Sequence, residues 1–352
     1  MFSPGGSAIA TQKRVKCSWL NASVVLFTFV SVGYAQTPRK AQQPVQPKPQ
    51  PPDVAQVNNG SLADPVGPNS TGSAVLRAQI LLDRAHFSPA EIDAIYGVNL
   101  GRAIHAYRAA NRMPDSDTVD ADMWAKLNQD TAPALQQYTL QDADVAGPYT
   151  PNIPHDMMEM AKLPALNYEN AQQGLGEKFH CSPALLEQLN PGVDLTKAGT
   201  QIMAPNVIVS PPTGHVAKIE VSKDRGVVQA LGDDGKIIAT YPATMGSEHD
   251  PLPIGDWKIL EVKKFPYFHY NASLFWDAAN KSDRATLKPG PKNPVGVVWM
   301  GLSKPHYGIH GTENPHTIGH TESHGCIRLT NWDAMELASM VTKDTPVTCT
   351  ED

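Results

Sequence analysis

Cysteine is scarce in this chain, 4 residues in 352, and so are aromatic side chains, at 7%, and charged ones, at 18%. So few thiols exclude a scaffold stapled by disulfides, and the 41% of hydrophobic residues must supply the cores instead. Clustered Lys and Arg are missing as well. Residues 1–70 hold 6 Lys and Arg against 2 Asp and Glu, which leaves the remainder more acidic than the formal −6 of the whole. Neutralising phosphates takes a basic face, so the composition speaks against a nucleic-acid partner. Long apolar runs are also absent: residues 19–32 are interrupted by Asn21, Ser23, Thr28 and Ser31, short of the roughly 20 apolar residues of a membrane span.

That interrupted stretch fits an export leader over residues 1–35. Lys13, Arg14 and Lys16 precede the apolar residues 24–30, and Gly33-Tyr34-Ala35 puts small residues where a signal peptidase cuts, leaving Gln36 first. An uncleaved anchor is the alternative. Either way an exported protein is expected. Cleavage removes Cys17 and leaves Cys181, Cys326 and Cys349, an odd number in an oxidising compartment, so one thiol stays free or pairs outside the chain. Whether Cys181 and Cys349 pair is open at this point.

Residues 36–70 carry eight prolines among Gln, Asn and Ser, a composition that predicts a semi-extended linker. From 72 to 130 the spacing is helical. Val75, Leu76, Ile80 and Leu82 begin it, and Ser88-Pro89-Ala90-Glu91 offers a second helix start, with a capping Ser followed by Pro. Leu100, Ala103, Ile104 and Tyr107 share a face of a further helix, and Asp120 caps a short one with Met123, Trp124 and Leu127. A small all-α three-helix domain is expected. Over 138–209 the prediction is a small α+β module: helices at 168–180 and 182–189, the second capped by Ser182 and stopped by Asn190-Pro191, then a strand at 201–203.

From 215 to 350 the apolar period becomes two. Ala217, Ile219 and Val221 alternate with polar neighbours, and segments 227–231 and 237–241 flank Gly232-Asp233-Asp234-Gly235 as a meander. Strand-like segments recur at 257–262 and 297–300, and one helix is expected at 331–341, capped by Thr330. This block is mainly β.

Its chemistry is concentrated between His306 and Cys326, where His306, His310, His316, His320 and His324 also lie. Four-residue spacings among them would suit a metal on a helix, but Gly308, Gly311, Pro315, Gly319 and Gly325 break any helix there, and no His-Glu-x-x-His order occurs. No metal and no cofactor are expected. A cysteine nucleophile needs an imidazole to generate its thiolate, a group to orient that imidazole, and donors for an oxyanion. Cys326 supplies the sulfur and His310 the base, while glycines on both sides allow close backbone approach.

The same segment resembles the L,D-transpeptidase catalytic domain of the YkuD type. The residues that carry the resemblance are His310-Gly311-Thr312, Ser323-His324-Gly325-Cys326 and Arg328, with Met245-Gly246, Pro253-Ile254-Gly255-Asp256-Trp257 and Leu329-Thr330-Asn331-Trp332-Asp333-Ala334 in support. It implies a YkuD-type β-sandwich over 215–350. It further implies Cys326 as nucleophile, His310 as general base and the Gly311 carbonyl as orienting group. Ser323, His324 and Gly325 would shape the site, and Arg328 would receive a stem-peptide carboxylate. The implied reaction joins third residues of peptidoglycan stem peptides through a thioester, releasing D-alanine. Water or the lysine of a lipoprotein are alternative acceptors on the same site, and a non-catalytic wall-binding protein is the alternative of another class. The helical segment resembles a three-helix peptidoglycan-binding domain through Leu81-Leu82, residues 92–97 with Ala94 in place of the usual Gly, and Trp124-Ala125-Lys126-Leu127; residues 138–209 resemble a divergent LysM module. Both imply glycan as a further partner.

Overall fold

The computed structural model describes residues 51–212 and 215–352; the expected leader and the first part of the linker lie outside them. Residues 51–70 are not a tether. Asp53 caps a short helix α1 (Val54–Val57) through Ala55 N at 2.8 Å and Gln56 N at 3.2 Å, and Val57 and Val66 are fully buried. The proline-rich average hid these spaced apolar residues, each of which finds a groove on the helices that follow.

Those helices are α2 (Ser73–Arg84), α3 (Val98–Ala110) and α4 (Ala121–Leu127), packed around Leu81, Leu82, Leu100, Ile104, Met123 and Trp124. Asp120 caps α4 as its position predicts, accepting from Met123 N at 2.9 Å. The helix start expected at Ser88 does not form. Ser88 Oγ instead accepts from Ala90 N at 3.0 Å in a local turn, and Ala90 and Ala94 both take positive φ, 60° and 63°. Local side-chain bonding has won over helix propensity there.

The next unit runs β1 (Leu135–Thr139), α5 (Asp142–Val145), α6 (Met157–Met160), α7 (Ala171–Lys178), α8 (Pro183–Leu189) and β2 (Gln201–Pro205). Its two strands pair antiparallel, from Leu135 opposite Pro205 to Thr139 opposite Gln201. Ser182 caps α8 with Pro183 in the first turn. Leu175, Phe179, Leu185 and Ile202 share one core with Leu76, Ile80 and Ile92, so this unit and the helical one are fused.

The last block contains β3 (Lys218–Ser222), β4 (Val227–Leu231), β5 (Ile237–Pro242), β6 (Thr244–Met245), β7 (Gly255–Lys264), the hairpin β8 (Phe268–Asn271) and β9 (Arg284–Leu287), β10 (Val298–Leu302), β11 (Gly308–His310), β12 (Ile327–Arg328), α9 (Asn331–Met340) and β13 (Pro346–Thr350). Nine strands form one ladder in the order β5-β4-β3-β13-β7-β10-β11-β12-β6. Tyr241 near one end and Met245 at the other enter the same core with Leu337 of α9. The two layers of the expected sandwich are therefore halves of one continuous, curved sheet. Cys349 is buried in this core and Cys181 in the N-terminal one, and both are free thiols. Residues 86–88 extend the sheet edge, with Ser88 N donating to Thr240 O at 2.9 Å and Thr240 N to His86 O at 2.8 Å. Ser88 Oγ also reaches Asp333 Oδ2 on α9 at 3.0 Å.

Candidate active site

Strands β11 and β12 lie side by side and parallel, Ile309 opposite Ile327 and His310 opposite Arg328. Cys326 immediately precedes β12, so the loop that leaves His310 returns to place the sulfur beside the strand it left. Two local devices hold that return. Ser323 Oγ accepts from Gly246 N at 2.7 Å and donates to Cys326 O at 2.6 Å, tying the loop end to β6. Gly325 has φ 92°, and a Cβ there would stand 2.6 Å from the Tyr307 ring, so no larger residue fits.

His310 is only 3% exposed, and its ring stacks on Trp299 at 5.6 Å. Nδ1 stands 2.6 Å from the Gly311 carbonyl, which can only accept, so Nδ1 carries the proton and Nε2 keeps its lone pair. Beneath that carbonyl sits Asn331, at the start of α9. Its Oδ1 accepts from Val297 N at 3.0 Å and fills the space that side chains at Gly296 and Gly311 would need. Asn331 thus fixes the segment that orients the imidazole; the sequence displays it as a helix start within a family-like motif, with no site role.

Burial, and then the charge of Arg328, push the His310 pKa down to about 3, against the opposing bond to Gly311. Burial pushes the Cys326 thiol up, while the Gly308 N–H and Arg328 favour the thiolate and Asp250 disfavours it. At neutral pH the resting pair is a thiol and a neutral imidazole. The thiol donates to the His306 carbonyl at 3.7 Å. Arg328 Nε is buried without a partner among the described residues, and the side chain opens onto the same cleft as Cys326 and His310.

The cleft encloses about 740 Å³ between the sheet and the β8–β9 hairpin. His324 joins hairpin to loop, its Nε2 2.9 Å from Asp277 Oδ1 and its ring edge-on to Phe275 at 5.0 Å. Of the other histidines, His306 lines the cleft and lends its carbonyl to the Cys326 thiol, whereas His316 faces Glu91 at 3.4 Å and His320 stacks near His316 at 6.3 Å, away from the cleft. Glu322, next to the site in sequence, is exposed.

Residues 217–349 match the model of the YkuD family, the L,D-transpeptidase catalytic domain. A Bacillus licheniformis protein named "Putative L,D-transpeptidase YkuD" is 32% identical over 182 residues, covering 51% of this chain and 92% of its own length. Its Bacillus subtilis namesake is 31% identical over 172 residues, covering 48% and 87%. The chain belongs to the YkuD family. An Escherichia coli protein named "Probable L,D-transpeptidase YbiS" is 31% identical over 166 residues, covering 46% of this chain and 53% of its own length.

One wall of the cleft in this YkuD domain comes from outside it. His155, Asp156 and Met157, at the start of α6, line the cleft opposite the sheet. Met160 and Leu166 pack with Leu287 of the hairpin, against Phe268 and Tyr270, which seats this wall. In the sequence, residues 148–167 are expected only as part of the α+β module over 138–209, with no element of their own and no link to the catalytic block.

Proposed function

We propose that the chain is a peptidoglycan L,D-transpeptidase that links third residues of stem peptides through a thioester on Cys326. The observation that carries this reading is the grouping of a thiol, a neutral His310 with Nε2 unprotonated, and a charged Arg328 lacking a partner among the described residues, all on one cleft. The thiol leaves the His306 carbonyl and passes its proton to Nε2 of His310 as sulfur bonds to the carbonyl carbon of the third residue. Backbone N–H groups at Gly325 and Cys326 receive the oxyanion. His310 then protonates the leaving amine, the C–N bond breaks, and D-alanine departs. The acceptor amine attacks the thioester, gives its proton to His310, and sulfur leaves to recover that proton. Arg328 holds a stem carboxylate through its planar fork, and Gly311 keeps the imidazole in the useful tautomer.

The N-terminal units fit wall-binding modules. Residues 135–205 pair β1 with β2 around α7 and α8, as a LysM-like unit would, with α5 and α6 inserted after β1, and the aligned 51% of the chain is longer than the catalytic block alone. An exported location, in the periplasm or cell wall, follows from such a substrate. Purified protein incubated with stem tetrapeptide and analysed by mass spectrometry should yield a dimer joined between third residues, with free D-alanine. Tripeptide and D-alanine alone would indicate water as acceptor, and a product formed only with a lysine-ended lipoprotein would indicate that acceptor.

A further inference from the structure

The loop between His310 and Cys326 is gripped at its middle by a helix from another unit. Asn99, in the first turn of α3 and 7% exposed, donates from Nδ2 to Ile318 O at 2.8 Å. Its Oδ1 is held at 2.8 Å by Arg102, whose guanidinium also reaches Gly319 O at 3.5 Å. Gly319 has φ 78°, and the space a Cβ would take is filled by Asn99 and Arg102. Glu91 reaches His316 on the same loop at 3.4 Å.

From the inner side Thr244 holds the same residues. Its Oγ1 accepts from Gly319 N at 2.8 Å and donates to Thr317 O at 3.2 Å. Thr244 belongs to β6, where it stands opposite Arg328, and the next residues reach the nucleophile: Met245 lies opposite Ile327, and Gly246 bonds Ser323, which bonds Cys326. Residues 317–319 are thus clamped between α3 and β6, the strand paired with β12 beside Cys326.

From this geometry we infer that Asn99, with Arg102 as its support, is a positioning residue for catalysis: the helical unit is part of the catalytic apparatus, holding the loop that sets Cys326 against His310. The effect is exerted through the loop, since Asn99 is not among the residues that line the cleft. A reacting pair displaced by a fraction of an ångström loses rate while binding persists. The inference rests on the acyl-transfer reading for its kcat measurement but not for thiol reactivity.

The test uses the full chain carrying N99A or N99D, with S88A as a contact between the same units, at Asp333, that does not touch the loop. The aspartate keeps the volume and the acceptor for Arg102 but loses the donor to Ile318, so it decides the matter should the alanine variant fail to fold. Both Asn99 variants should lose between about 10- and 100-fold in kcat, with KM within about twofold of wild type. Iodoacetamide should alkylate Cys326 more slowly in them across pH 6–9, and S88A should match wild type in both measures. Wild-type kcat and alkylation in N99D, or an equal loss in S88A, would overturn the inference. If wild type itself turns over no stem peptide, the functional reading fails, and the alkylation comparison alone still decides the role of Asn99.

Discussion

At the scale of single residues the site is defined by two displaced pKa values and one fixed tautomer. A base is useful only while neutral, and His310, the proposed base, loses that form as pH falls through its folded pKa of about 3. An unperturbed imidazole near 6.5 would have lost about thirtyfold of its neutral form by pH 5. The pH profile of kcat/KM should therefore stay flat from pH 7 to pH 5, and a tenfold fall with a midpoint near 6.5 would contradict the assigned burial. Arg328→Gln removes the charge that depresses His310 and the fork proposed to bind a stem carboxylate. It should lower kcat/KM by about 10- to 100-fold, mostly through KM, as expected for losing one charged hydrogen bond. Much of this was legible in the sequence. Cys326 and His310 stand out because a thiol, an imidazole and flanking glycines fall together, while Gly311, Ser323 and Arg328 are picked out by the family resemblance. Asn331 did not stand out as a site residue, since its work depends on which glycines fold against it.

At the scale of elements, the segment from 323 to 326 tolerates little change. Ser323→Ala removes both the acceptor for Gly246 and the donor to Cys326 O. It should lower stability by about 1–3 kcal/mol, read by chemical denaturation, and reduce kcat because the sulfur loses its tether. Gly325→Ala forces a left-handed backbone on a residue with a side chain and drives it into Tyr307, so soluble protein without activity, or none, is the expected yield. Capped elements were the readable ones. Asp120, Ser182 and Thr330 each bond the backbone where their positions predicted. The expected start at Ser88 failed because its side chain bonds Ala90 N and Asp333 instead, and Asp333 is remote in sequence.

At the scale of the whole molecule, the expected string of modules on a tether becomes a fused body over the described residues beyond 50. Composition cannot show this, since docking depends on surfaces that exist only after each unit folds. Shared cores and the bonds from Ser88 and Asn99 should make residues 51–352 unfold in a single calorimetric transition, and two well-separated transitions would contradict the fusion. The central claim is nonetheless chemical, that Cys326 carries the acyl group. Intact-protein mass spectrometry after mixing the full chain with stem tetrapeptide measures it most directly. The account predicts a mass increase equal to the peptide less D-alanine, located on Cys326, discharged by an amine and absent in C326A. Folded wild-type protein that releases D-alanine with no adduct at Cys326, or a C326A variant that still does so, would contradict it.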